Sequence, residues 1–150
     1  MKISDNGLDL IKKFEGFRPN IYLCPAGKPT IGYGHCIGEH ERFDMVSPEE
    51  ADTLLRSDVQ IAENLINTHV TVPLTQGQFD ALVSIIYNFG GGAFLHTEAF
   101  RDLQEKKYDA AALNLFSRDQ GITRINGVIS EGLVHRRQAE WGLWNGQAQV

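Results

Sequence analysis

Phe14-Glu15-Gly16-Phe17-Arg18, followed by Tyr22-Leu23-Cys24-Pro25-Ala26-Gly27-Lys28-Pro29-Thr30-Ile31-Gly32-Tyr33-Gly34-His35, is the stretch that decides the fold. It starts on a helix end. Ser4 caps a first helix, Leu8, Leu10, Ile11 and Phe14 give it an apolar stripe, and Gly16 stops it directly after Glu15. From about Arg18 to His35, Pro19, Pro25, Gly27, Pro29, Gly32 and Gly34 break the chain into short β segments joined by tight turns. An acid at a helix end is thus followed by a thiol and a hydroxyl on a hairpin.

Beyond this stretch the signals turn helical. Ser47-Pro48-Glu49-Glu50 reads as a helix start, with Ser47 as cap, Pro48 in the first turn and Glu50 closing a capping box. Ala51, Leu54, Leu55, Val59, Ala62, Leu65 and Ile66 then recur at helical spacing. Thr75 to Gln78 forms a second capping box. It opens an apolar helix through Phe79, Leu82, Val83, Ile86 and Tyr87, with Gly90-Gly91-Gly92 as stop and hinge. Two helices are expected between Thr97 and Arg118, a loop from Gln120 to Ser130, and a last helix from Ser130 to near Gly146. The order is α+β with segregated strands. We expect a single domain over 1–150, with a small β-containing lobe at about 17–60 and a helical lobe at about 1–16 and 70–150. The helix starting at Ser47 would join them, with a cleft between.

The bulk numbers exclude several classes. A chain of 150 residues, 42% hydrophobic and 22% charged, buries a core without staples. A net charge of −5 argues against nucleic acid, which favours basic surfaces. Cys24 and Cys36 make no disulfide framework, and His35, His40, His69, His96 and His135 show no metal-ligand spacing, so no cofactor or metal is expected. The N-terminal residues lack an apolar signal region and no window is long enough to span a membrane. Synthesis in the cytoplasm without a leader, and no stable membrane insertion, are the expectations.

Glu15 is the first candidate for chemistry. A carboxyl group that does proton chemistry on a polar substrate near neutral pH needs a raised pKa, and Phe14 and Phe17 supply the apolar surroundings such an acid uses. Read on its own, Glu15 would be a solvated helix-end glutamate. Thr30 offers a hydroxyl that both donates and accepts, suited to holding water; as a β-branched residue it also simply suits a strand. His35 closes a Gly-Tyr-Gly segment and reads as a supporting group that ties a strand to its neighbour. On the last helix, Arg136 and Arg137 are adjacent. An arginine there could reach and orient the Glu15 carboxyl, and adjacent residues are not expected both to point inward. Tyr87 and Asn88, at the end of an apolar helix, offer an aromatic face and an amide to a polar substrate; Tyr87 equally suits the core.

Glu15, Cys24 and Thr30 at offsets of nine and six, Thr30-Ile31-Gly32-Tyr33-Gly34-His35, the stretch from Pro73-Leu74-Thr75-Gln76 through Asn88-Phe89-Gly90, and Gly132-Leu133 followed by Arg136-Arg137 together resemble the phage-type lysozymes, glycoside hydrolase family 24. The resemblance covers nearly the whole chain. It implies a lysozyme-like fold and a muramidase endolysin that hydrolyses the β-1,4 bond between N-acetylmuramic acid and N-acetylglucosamine in peptidoglycan, lysing the host cell. It implies Glu15 as acid, Cys24 and Thr30 handling water on the opposite face with inversion, Arg136 rather than Arg137 as the supporting arginine, and Tyr87 and Asn88 at the cleft. It further implies a monomer that depends on a holin to reach the wall from inside. Many members of the family carry Asp where this chain has Cys24. A neutral thiol neither orients water nor stabilises positive charge well, which motivates an alternative, a lytic transglycosylase in which the muramyl 6-hydroxyl replaces water and 1,6-anhydro ends result. A non-catalytic wall-binding module is a third reading. Cys24 and Cys36 flank one hairpin, so oxidation there would lock or disable the site.

Overall fold

The computed structural model describes residues 1–147. Seven helices and two small antiparallel sheets are seen there, in the order α1 (Asp5–Glu15), β1 (Arg18–Leu23), β2 (Pro29–Gly32), β3 (His35–Cys36), α2 (Pro48–His69), α3 (Gln76–Phe89), α4 (Gly91–Leu95), α5 (Glu98–Gln104), α6 (Tyr108–Phe116), β4 (Arg124–Ile125), β5 (Val128–Ile129) and α7 (Glu131–Trp144). This is an α+β chain. Its contacts divide it into two compact units, Ile11–Ile61 and Met1–Leu10 with Ala62–Val150. The first helix was expected whole in the helical part. Its second half is grouped with the sheet instead, where Lys12 pairs with Asp52 and lies 5.7 Å from the Tyr33 ring centroid.

In the sheet unit, β2 is the central strand, flanked by β1 and β3. Tyr22 faces Thr30 and Thr30 faces Cys36 across the two ladders, and the β1–β2 register shifts between Arg18 and Tyr22. Ile31, Val46 and Ala51 form the buried centre, with Phe17, Tyr33, Ile37, Phe43 and Leu54 packed around it. Gly32 sits at φ +70, and a Cβ there would come within 3.2 Å of the Ala51 Cβ, so glycine suits both the turn and the close approach of β2 to α2. Ser47 and Glu50 exchange the two hydrogen bonds of a capping box at the start of α2, each 3.1 Å.

The helical unit is organised on α3. Every residue from Phe79 to Ile86 is buried, so this helix is enclosed on all sides rather than along one stripe. Thr75 and Gln78 cap it reciprocally. Gly77 lets α3 meet α7, because a Cβ there would lie 2.1 Å from the Leu143 carbonyl oxygen. Phe116 of α6 packs on Trp141 and Trp144 of α7. The glycine run stops α3 at Gly90, φ +108, and a short helix restarts at once at Gly91. Two of the three glycines are therefore helical rather than hinge. The expected loop from Gln120 to Ser130 contains the β4–β5 hairpin, pairing Arg124 with Ile129 and Ile125 with Val128. Its turn is Asn126-Gly127, at φ 51 and 82, the left-handed pair that a tight two-residue hairpin requires.

Candidate active site

Four of the seven candidates, Glu15, Cys24, Thr30 and His35, lie in the sheet unit; Tyr87, Asn88 and Arg136 lie in the helical unit. Glu15 is the last residue of α1 and is half-buried. The following Gly16, φ 75, turns the chain out of the helix with its N–H on the Lys12 carbonyl at 2.9 Å.

The hairpin then lays several polar groups on one sheet face. Side chains alternate along a strand, so Tyr22 and Cys24 share a face, and Thr30 joins it as the cross-strand partner of Tyr22. Thr30 is 2% exposed and donates its hydroxyl to the Lys28 carbonyl at 2.9 Å. Its one proton is shared between that carbonyl and the Cys24 sulfur, and its lone pairs remain to accept. The turn after Cys24 is closed by the Gly27 N–H on the Cys24 carbonyl at 2.7 Å and the Cys24 N–H on the Lys28 carbonyl at 3.0 Å. This curls the backbone N–H groups of Lys28 and Ala26 toward the thiol. The Lys28 N–H, then the Ala26 N–H, the Thr30 hydroxyl and the Lys28 ammonium hold the Cys24 pKa below the ordinary thiol value, against partial desolvation. A bare thiol at this place is thus moved toward the anion that an aspartate would supply.

Tyr22 is the residue that sequence reasoning missed. Burial first, then the Glu15 carboxylate, raise the phenol's pKa, with Arg18 opposing and Cys24 and Cys36 adding to the rise. One ring thus feels both the acid at the helix end and the thiol on the hairpin. The Arg18 guanidinium lies over it, 4.4 Å from the centroid. Its position two residues before Cys24 was the available signal, since period-2 alternation puts the two on one side.

His35 stands between two carboxylates. Its Nδ1 is 2.8 Å from Asp58 and its Nε2 2.9 Å from Glu41. Only the doubly protonated ring donates to both at once. Burial opposes that charge, and the hydrogen bonds to Asp58 and Glu41 outweigh it, so the His35 pKa lies above its ordinary value. Phe43 packs edge-on at 5.8 Å. Strand β3, the Gly38–Glu41 turn and α2 are joined through this one ring.

In the helical unit the two arginines depart from expectation. Both point inward, Arg136 at 4% and Arg137 at 0% exposure. A wholly buried carboxylate, Glu140, makes this possible. It lies three and four residues further along α7, within reach of both, so adjacency on the helix does not force one of them out. Arg137 also donates to the Asn88 side chain at the end of α3. Tyr87 is half-buried beside it.

Cys24 and Cys36 are both free thiols. Strand β2 separates them, so two strand spacings, about 9.5 Å, lie between their strands, beyond the ~7 Å a disulfide tolerates. A direct cross-link between them does not fit this register. Among the described residues, no group of three His, Cys, Asp or Glu side chains could hold a metal ion, and no helix is long and apolar enough to cross a membrane.

A family model described as phage lysozyme matches residues 12–140. The chain is similar to an endolysin of Acyrthosiphon pisum secondary endosymbiont phage 1, 38% identical over 96% of this chain and 98% of the relative. Among solved structures it is similar to the muramidase domain of SpmX from Asticaccaulis excentricus, with TM-score 0.82 and 38% identity over 95% of this chain and 97% of that one. It is also similar to the endolysin of the Escherichia coli phage FAHEc1, with TM-score 0.80 and 32% identity over 97% and 94%.

Proposed function

Because the chain belongs to the phage lysozyme family, we infer that it is a muramidase endolysin. It hydrolyses the β-1,4 bond between N-acetylmuramic acid and N-acetylglucosamine in peptidoglycan. Glu15 hands its proton to the leaving glycosidic oxygen. Water attacks from the other face of the sugar, accepted by the Thr30 hydroxyl and polarised by the Cys24 sulfur, with inversion as the outcome. The observation that carries this reading is Tyr22, which interacts with Glu15 and Cys24 and pairs directly with Thr30. Tyr87 and Asn88 contribute contacts to the glycan, and Arg136 supports the acid. The whole chain acts as one catalytic domain and as a monomer. It reaches the wall after a holin-type partner has opened the membrane.

The test is Glu15→Gln. The variant should keep its far-ultraviolet circular dichroism and lose all measurable clearing of permeabilised bacteria. Clearing at the wild-type rate would remove Glu15 from the mechanism. Mass spectrometry of the digest should find reducing ends. A digest ending in 1,6-anhydro sugars would reassign the reaction to transglycosylation.

A further inference from the structure

Arg137 is a wholly buried cation with three separate partners. Its Nε donates to the Ile122 carbonyl at 2.8 Å, one Nη to Glu140 and the other to the Asn88 Oδ1. Glu140, also wholly buried, is held in turn by the Ser84 hydroxyl at 2.5 Å and the Arg136 Nε at 3.3 Å. Ser84 and Asn88 lie four residues apart on α3, and the arginines and Glu140 lie on α7. The network thus fixes the end of one helix from another. Among the described residues, no buried side-chain nitrogen or oxygen lacks a partner.

A consequence follows for Asn88. A guanidinium only donates, so an amide that bonds to it must turn its oxygen toward it. The Asn88 oxygen therefore faces the buried Arg137, and its Nδ2, with two N–H donors, is turned outward. Asn88 itself is exposed, and no described residue takes those donors. Exposed amides ordinarily flip freely; this one is set by a buried charge.

We propose that Arg137 and Glu140 are positioning residues that fix the Asn88 amide as an outward hydrogen-bond donor, and that this donor recognises a neutral acceptor oxygen of the glycan, an acetamido carbonyl or a hydroxyl. The identity of the ligand rests on the muramidase reading; the orientation of the amide does not. Asn88→Asp separates the roles sharply. A carboxylate still accepts from Arg137, and it adds a negative group beside two guanidiniums that share one carboxylate. It cannot donate. Folding should be unharmed or improved while binding falls.

The measurement is calorimetric binding of an N-acetylglucosamine–N-acetylmuramic acid tetrasaccharide, and of its de-N-acetylated counterpart, to the full chain carrying Glu15→Gln to prevent turnover. Adding Asn88→Asp should weaken binding about tenfold, the loss of one neutral hydrogen bond, with the melting temperature unchanged or raised. Arg137→Lys keeps the charge but loses the planar fork, and it should weaken binding to a similar degree. Because Arg137 acts through Asn88, Arg137→Lys added to Asn88→Ala should cost no affinity beyond Asn88→Ala alone, an outcome that general loosening of the fold would not produce. A loss confined to the acetylated fragment supports a carbonyl acceptor, and an equal loss for both supports a hydroxyl. Unchanged binding by Asn88→Asp, or additive losses in the pair, overturns the proposal alone. If the Glu15→Gln chain binds neither fragment, the muramidase reading falls with it.

Discussion

The sheet unit and the helical unit use charge in opposite ways. Around the hairpin the ionisable groups keep contact with water. The His35 ring is 11% exposed, and its partners Glu41 and Asp58 are 38% and 26% exposed. Their protonation is therefore free to follow pH. On α7, Glu140, Arg136 and Arg137 are sealed in and bonded to one another. Half-exposed charges tune proton affinity at a site. Buried ones fix geometry, because any misplacement leaves a desolvated ion without its partner. The same chain keeps its candidate chemistry in the first setting and its rigid support in the second.

The contrast can be broken most forcefully at Glu140. Glu140→Leu leaves two buried guanidiniums without their shared carboxylate and should cost about 3–5 kcal/mol in urea unfolding; a loss below 1 kcal/mol would mean that water already reaches the cluster. Gly77→Ala comes next. The added Cβ meets the Leu143 carbonyl at 2.1 Å, and forcing α3 away from α7 should cost on the order of 3 kcal/mol by the same assay. An intact midpoint would show that the two helices are not closely seated. Gly127→Ala, at φ +82 on an exposed turn, should cost about 1 kcal/mol, read as a small shift in thermal midpoint. A cost as large as that of Gly77→Ala would tie the hairpin turn to the core.

The smallest expected effect is one of slope. His35 has its pKa raised above the ordinary 6.5, so the folded state keeps that proton longer than the unfolded chain. Its contribution is complete below about pH 6.5 and fades as pH rises through the folded value. Burial raises Asp58 above 3.8, which also makes stability fall as pH rises through its titration. Glu41 is lowered from 4.5, first by the Gly38 N–H and then by His35, so its contribution is present above about pH 4.5 and is lost as pH falls through the folded value. His35→Asn should flatten the decline above pH 6.5 in midpoints measured from pH 5 to pH 9. Parallel curves for variant and wild type would remove His35 as the source.

Much of the architecture was legible because local chemistry dictates it. Ser47 with Glu50 and Thr75 with Gln78 satisfy orphan backbone groups by sequence offset alone, and both boxes form as read. What escaped depends on more than local pattern. The Asn126-Gly127 turn carried its own signal, but strands of two residues show no alternation to support it. The restart of helix at Gly91 goes against the intrinsic preference of glycine. A Cβ at Gly91 would lie 2.5 Å from the end of the Leu65 side chain, so an added methyl there requires Leu65 to shift. The inward turn of both arginines required knowing that Glu140 is fully enclosed. Tyr22 required the β1–β2 register. The spacing of Glu15, Cys24 and Thr30 could be read directly from the chain; the support behind Asn88 could not, since it depends on side chains of α3 and α7 and on the Ile122 carbonyl.

The fork of Arg137 carries one more implication. Through a single planar ion it joins residues 88, 122 and 140, segments that folding must first bring together from far apart in the chain. It acts as a rivet with no covalent bond, so reductants and oxidants leave it untouched in a protein whose two thiols are free. Such a fastening does not loosen by degrees: when it goes, the root of the hairpin, the end of α3 and the last helix are released in one cooperative step.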